Sequence, residues 1–278
     1  MRTIEAADIT EAVKDLFLSA CRMPGPDVLG AISSAYEREA CTPAKEGLRQ
    51  LLLNAQIAEE TLMPYCQDTG LAVVFLEIGQ DVHINGALKA AVNEGVRLAY
   101  DEGYLRKSVL DSITRENTKD NTPAVIHYDI VPGDALKIAA APKGFGSENM
   151  SKIAMLKPSD GLNGIKQFII DSVKAAGGSP CPPVVLGIGI GGTFEKCALM
   201  AKKQLLRDIG STNPDPFLAE LETSLKNEIN ALGIGAMGFG GSNYCFAVHI
   251  EKYPTHIAGL PVAVNFQCHA ARHASVTL

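Results

Sequence analysis

The chain has 278 residues with 25 basic against 31 acidic side chains, a formal net charge of −6, and 46% hydrophobic against 20% charged residues. This is globular usage rather than that of a disordered chain, and the mild acidity leaves no electrostatic footprint for nucleic acid or an anionic membrane surface. The N-terminus carries no apolar h-region and no run nears the ~18 consecutive apolar residues of a membrane span, so neither a secretory signal nor a membrane segment is expected.

Asp8 or Thr10 opens a first helix, which Pro24-Gly25-Pro26 breaks before a second. Thr42 as N-cap and Pro43 at the first helical position start a third, with Leu48, Leu51, Leu52, Ala55 and Leu62 on one face. Helix gives way at Met63-Pro64-Tyr65-Cys66, and residues 71–78 follow as a β-rich run closed by Gly79. A helix pattern covers roughly 86–102. Segments 124–131 and 135–141, joined by Pro132-Gly133-Asp134, predict a hairpin. Then come a helix over 162–176, a buried strand over 183–190, helices over 193–206 and 217–232, and strands over 244–253 and 260–266. Helices and strands mix without strict alternation, which predicts an α+β fold. It is read as one domain over 1–278, helical to about residue 62 and mixed from about 63 onward.

Gly187-Ile188-Gly189-Ile190-Gly191-Gly192 satisfies G-x-G-x-x-G between a predicted strand and a predicted helix, the setting in which backbone N–H groups cradle a pyrophosphate. A dinucleotide fold also needs a second parallel strand after that helix, whereas residues 208–214 read as a loop leading into another helix. The turn is read as packing or an anion cradle, and a nicotinamide-dependent oxidoreductase stays as a competing class.

The seven cysteines, an odd and scattered set without an export signal, predict a reducing cytoplasmic setting and no structural disulfides. Cys66 sits at a helix-to-strand junction in PYCQDTG, Cys181 among three prolines in SPCPP, and Cys268 at a strand end beside His269, Arg272 and His273. Loop-borne, conformationally held thiols suit a ligand or a reactive thiolate, although most free cysteines are small core hydrophobes. Cys21, Cys41, Cys197 and Cys245 lie within or beside regular elements. No C-x-x-C is present, so zinc-ribbon and thioredoxin readings lose their usual support.

Five segments resemble one family closely: CQDTG from Cys66, NTKDNTPA from Asn117, KGFGSENMS from Lys143, PCPPVVLGIGIGGTFEK from Pro180, and YPTHIAGLPVAVN from Tyr253. They occur in family order from about residue 60 to the C-terminus and are similar to the α-subunit, or N-terminal catalytic part, of the iron–sulfur hydro-lyases, class I fumarase and L-tartrate dehydratase. The resemblance implies a [4Fe–4S] cluster held by Cys66, Cys181 and Cys268, one iron being left without a protein ligand to act as a Lewis acid on a substrate hydroxyl. It further implies that Gln67, Arg106 and the Gly146 backbone contact a small dicarboxylate, and that Asp68 and His256 handle protons. The residue types suit these roles: a guanidinium clamps a carboxylate in a bidentate manner, and a glycine leaves its N–H open to approach. The chain carries Phe145 where the family commonly has glycine, and Ser242-Asn243-Tyr244-Cys245 also departs from the family pattern.

Residues that supply the catalytic base and further arginines in single-chain relatives are not found before Leu278, so a separate β-subunit is expected, in an α2β2-like heteromer. The leading expectation is the α-subunit of a cytoplasmic class I fumarate hydratase interconverting malate and fumarate, with L-tartrate dehydratase as the near alternative. A non-catalytic cluster-based sensor is the remaining class.

Overall fold

Apolar residues at helical spacing commit the N-terminal segment to a helix whose buried face is Ile9, Val13, Leu16, Phe17, Ala20 and Cys21. The computed structural model describes residues 2–278. In chain order the elements are β1 (Arg2–Glu5), α1 (Ala6–Arg22), α2 (Pro26–Arg38), α3 (Thr42–Thr61), β2 (Leu71–Gly79), β3 (Val82–Asn85), α4 (Leu88–Glu102), β4 (Val125–Val131) and β5 (Leu136–Lys143). They continue with α5 (Phe145–Glu148), β6 (Lys152–Leu156), α6 (Gly161–Ala176), β7 (Val184–Gly191), α7 (Phe194–Gln204), α8 (Pro216–Asn230), β8 (Cys245–Tyr253), β9 (Leu260–Gln267) and β10 (Ala274–Thr277). The fold is thus mixed α and β, as the sequence predicted. Among the described residues no helix is long and apolar enough to cross a membrane.

Contacts divide the chain into two compact units: residues up to Gly25, Asn54–Phe145 and Arg272–Leu278 in one, Pro26–Leu53 and Gly146–Ala271 in the other. In the first unit a four-stranded sheet runs β10-β5-β2-β4, and a parallel pair joins β1 to β3. Helices α1 and α4 pack on each other, and α1 packs on β5, around a core that includes Phe17, Val92, Tyr100, Leu136 and Ile138. Strand β2 buries Ala72 through Leu76 without a break, the pattern of a strand covered on both faces and flanked on both edges. It is therefore central, with β4 parallel on one side and β5 antiparallel on the other.

That corrects the expected hairpin. Both strands form where the sequence placed them, yet β2 lies between them. The Pro132-Gly133-Asp134 turn wraps the end of β2, with Gln80 N–H donating to Val131 O at 2.9 Å, Asp81 N–H to Gly133 O at 2.9 Å and Gly79 N–H to Ala135 O at 2.9 Å. Four strands and one short helix (β1, β3, β6, β10 and α5), each four or five residues long, were not read from the sequence.

The second unit is built on a sheet of order β6-β9-β7-β8, with β7 parallel to β8 and antiparallel to β9. Helix α7 lies against β7, and the alternating glycines are what allow it. A Cβ at Gly187 would stand 1.9 Å from the Ala201 carbonyl oxygen, and one at Gly189 2.1 Å from that of Cys197. Gly191, at φ +87°, would likewise place a Cβ 2.0 Å from Tyr253 O. The glycine pattern is consumed by helix-on-strand and strand-on-strand approach, which is the packing reading of the turn. Glu195 in the first turn of α7, hydrogen-bonded by Thr193 Oγ1 at 2.6 Å, already supplies the negative charge that a helix N-terminus favours.

Two expected outcomes follow from this unit. Gly189→Ala forces backbone against backbone and should lower stability by about 3 kcal/mol or more in urea unfolding. His249, 1% exposed with Nδ1 3.1 Å from Gln204 O, has its pKa lowered from 6.5 to about 4 by burial and then by the nearby Arg207 guanidinium. The unfolded chain binds more protons in that window, so this contribution is intact above about pH 6.5 and is lost as pH falls towards about 4, by roughly 3 kcal/mol. His249→Gln should flatten that part of the stability profile between about pH 7 and about pH 4.5.

Candidate active site

In the first unit the loop from Cys66 to Gly70 links α3 to β2 and is tied down residue by residue. Tyr65 N–H donates to Cys21 O at 2.8 Å, and Asn54 Nδ2 donates to Tyr65 O at 2.8 Å. Thr69 Oγ1 donates to Arg106 O at 3.0 Å, which brings the backbone of the predicted carboxylate clamp to this loop. The buried Tyr100 hydroxyl lies 2.6 Å from Thr69 O and 3.0 Å from Gly70 O. Asn121, fully buried with φ +62°, donates from Nδ2 to Gly70 O at 3.3 Å, while its Oδ1 accepts from Ser108 N at 2.7 Å and Val109 N at 3.1 Å. Gly70 itself, at φ +80°, runs so close to β5 that a Cβ would lie 2.6 Å from the Pro142 carbonyl carbon.

Asp68 is part of the same scaffold. Its Oδ1 accepts from Gly70 N at 3.0 Å and its Oδ2 from Phe145 N at 2.8 Å. Both carboxylate oxygens thus hold backbone, the local turn-forming role open to an Asp in this position. Cys66 is half-buried, and Gln67 and Arg106 are exposed.

The second unit holds the other predicted residues. Cys181 is exposed, at φ +54°, in the loop before β7. Its carbonyl oxygen accepts from His269 N at 3.2 Å and lies 3.0 Å from His269 Nδ1. The loops of Cys181 and of half-buried Cys268 are therefore joined directly. Gly146 is exposed at the start of α5. His256 lies on a different turn, between β8 and β9, anchored where Thr255 Oγ1 donates to Gly192 O at 2.9 Å. Its Nδ1 accepts from Ala258 N at 3.2 Å, so the neutral ring carries its proton on Nε2. The departure at Ser242-Asn243 has a local reason: Asn243 Nδ2 donates to buried Glu39 at 2.6 Å, and Ser242 N at 3.3 Å.

Four of the cysteines lie with sulfur near a carbonyl oxygen. Cys21 Sγ lies 3.9 Å from Thr69 O, Cys41 Sγ 3.5 Å from Phe239 O, Cys197 Sγ 3.1 Å from Gly189 O and Cys245 Sγ 3.2 Å from Ala247 O. Each sits as a thiol against a carbonyl. Burial pushes Cys21 up to about 11 and both Cys197 and Cys245 up to about 12. Cys66, Cys181 and Cys268 lie in loops with solvent exposure, as does Cys41 ahead of α3.

Residues 10–277 match the family described as fumarate hydratase (Fumerase). The chain is 45% identical over 273 residues to a Methanocaldococcus jannaschii protein named "Putative L(+)-tartrate dehydratase subunit alpha", covering 96% of each chain. It is 32% identical to the L(+)-tartrate dehydratase subunit alpha of Escherichia coli strain UTI89, over 96% of this chain and 90% of that one. The K12 strain's protein of the same name is 31% identical over the same shares. The chain belongs to the iron–sulfur hydro-lyase α-subunit family.

Hydro-lyases of this family depend on an iron–sulfur group, and the donor set here suits one. Thiolate is the ligand such iron requires, and Cys66, Cys181 and Cys268 are thiols with solvent exposure. Among the described residues no three His, Cys, Asp or Glu side chains are gathered so as to hold a single metal ion. The sequence pointed to Cys66, Gln67, Asp68 and Arg106 but missed what holds them. Tyr100 looks like any apolar-face helix residue. Asn121 falls within the NTKDNTPA segment, where its type gives one signal: Asn is among the side chains that tolerate a left-handed backbone. Arg272 was noted only as a basic neighbour of Cys268, with no sign that it is 2% exposed.

In the iron-free chain at about pH 7.5, iodoacetamide should label Cys66, Cys181 and Cys268 at least about tenfold faster than Cys21, Cys197 and Cys245, because thiolate is the reactive form and burial withholds it. Mass spectrometry of the labelled peptides over time checks the order.

Proposed function

We propose that this chain is the α-subunit of an iron–sulfur L(+)-tartrate dehydratase, with Cys66, Cys181 and Cys268 as ligands of a [4Fe–4S] cluster and a separate β-subunit completing an α2β2 enzyme. The observation that carries the substrate is the named tartrate dehydratase α-subunits, one at 45% identity across 96% of both chains. This ranks tartrate above the malate and fumarate expected from the motifs. The ligand set is supported by the solvent exposure of these three thiols and by the direct link between the Cys181 loop and His269 beside Cys268.

When bound, such a cluster supplies a Lewis-acidic iron that turns a substrate hydroxyl into a leaving group. The chain's own residues do the rest of the recognition. Arg106, exposed at the end of its side chain and tethered by its carbonyl to Thr69, offers a planar fork to a carboxylate. Gln67 adds an amide, and the Gly146 N–H adds a donor without a side chain in the way. His256 offers its Nε2–H as a hydrogen-bond donor, fixed in that tautomer by Ala258. Asp68 orients backbone at this site, its two oxygens accepting from the Gly70 and Phe145 N–H groups.

The family description, fumarate hydratase, favours a second reading in which the same site hydrates fumarate to malate. Anaerobic reconstitution of this chain with its β-subunit, followed by assay on both tartrate enantiomers, malate and fumarate, decides between them. A larger kcat/KM on L(+)-tartrate is expected; larger values on malate and fumarate would give the second reading. Cys181→Ser should lose iron and visible absorption together, and a wild-type pair that stays colourless and iron-free would overturn both readings. Arg106→Lys should raise KM for the dicarboxylate by about tenfold or more, since the point charge cannot reproduce a bidentate contact.

A further inference from the structure

A guanidinium almost wholly removed from water needs an explanation, because an isolated buried charge is among the costliest features a fold can carry. Arg272 is 2% exposed and among the largest fully buried side chains. Within the first unit it faces Asp68 across Gly144. A Cβ built on Gly144 would lie 3.2 Å from Asp68 Oδ2 and 3.3 Å from Arg272 Nη2. The glycine therefore keeps open the space between a carboxylate and a guanidinium. Cys21 and Tyr100 feel both charges, with Arg272 pulling their pKa values down and Asp68 pushing them up.

We propose that Arg272 is a positioning residue of the hydro-lyase site: its buried guanidinium holds the Asp68 carboxylate across Gly144 and, through it, the backbone of the Cys66–Gly70 loop and of Phe145. The chain of contacts is short. Arg272 sets its buried charge close to that of the half-buried Asp68. Asp68 accepts from Gly70 N at 3.0 Å and from Phe145 N at 2.8 Å. Those two amides fix the far end of the loop that presents Cys66 and Gln67, and the segment that leads into Gly146. Arg272 touches no substrate in this account. It acts by keeping a carboxylate aimed at two N–H groups, and the inference rests on the iron–sulfur hydro-lyase reading only for what that loop is used for.

The test is amide hydrogen exchange, read by NMR on the full iron-free chain. Arg272→Met should speed exchange at Gly70 and Phe145 by about tenfold or more, the scale of a lost charge-assisted hydrogen bond. Amides of β7 and β9 should keep their wild-type rates, which a general loosening would not allow. Gly144→Ala serves as a milder second variant should Arg272→Met fail to fold. It wedges a methyl between the two charges and should speed the Gly70 amide in the same way. Wild-type rates at Gly70 in whichever of these variants folds would overturn the proposal. Iron bound after anaerobic reconstitution, measured on the same samples, separates the two inferences. Faster Gly70 exchange in the variants alongside an iron-free wild type keeps Arg272 in this role and removes the iron–sulfur reading. A wild type that binds iron, with unmoved Gly70 exchange in the variants, does the reverse.

Discussion

The close approach of Gly70 to the Pro142–Lys143 backbone is the constraint on which the Cys66–Gly70 loop of the first unit depends. A Cβ there would sit 2.6 Å from a carbonyl carbon and 2.7 Å from an amide nitrogen, so no other residue fits without moving a strand. Once β2 and β5 are paired in antiparallel register from Leu71 opposite Lys143, the loop ahead of Gly70 has little freedom left. Tyr100 from a helix, Asn121 from a polar loop and Thr69 through Arg106 O then remove what remains. The donors and acceptors come from four separate stretches of chain, so shifting the loop breaks several hydrogen bonds at once. Such a site is held by structure outside itself, as a cluster-bearing or substrate-binding loop must be if its ligands are to stay aimed without the ligand.

The second unit solves a related problem by other means. There the alternating glycines of β7 bring α7 within contact distance of the sheet, and the Cys197 thiol settles against the Gly189 carbonyl as a result. The same feature that resembles a nucleotide-binding turn in sequence is spent on packing. What β7 positions instead is the entry loop with Cys181, whose carbonyl is gripped by the backbone and the ring of His269 next to Cys268. One thiol loop is held by the turn adjoining another, so a disturbance at either is felt at both.

Much of this was legible in the sequence wherever a long stretch expressed one period. The helices at 42–61, 88–102, 161–176 and 216–230 and the strands β2, β7, β8 and β9 were placed within a few residues. The four- and five-residue elements were not, because β1, β3, β6 and β10 are too short to show alternation above chance. Strand pairing was the more instructive miss. A Pro-Gly-Asp turn between two β-rich runs is a fair hairpin signal, but nothing local to residues 124–141 reveals that a more hydrophobic strand, fifty residues earlier, takes the place between them. The uninterrupted burial of Ala72–Leu76 was that signal, and it lay in β2 rather than in the hairpin.

At the site, residue types told which side chains had chemistry to offer but not which were already committed. Seven cysteines looked alike in composition. Position set Cys66, Cys181 and Cys268 in loops, and the geometry places the sulfurs of Cys21, Cys41, Cys197 and Cys245 near carbonyl oxygens. Asp68 illustrates the opposite case. Beside Cys66 it reads as a proton carrier, yet it also accepts two backbone N–H hydrogen bonds, with a buried guanidinium across a glycine, and so holds two stretches of backbone in place. Stillness is what this position needs. The chemistry of dehydration asks for a leaving hydroxyl, a proton donor and fixed partners for two carboxylates, and the fixed partners are the part a protein supplies by folding. In this chain that rigidity is assembled around Gly70 and Gly144, two positions where the absence of a side chain lets charge and backbone meet.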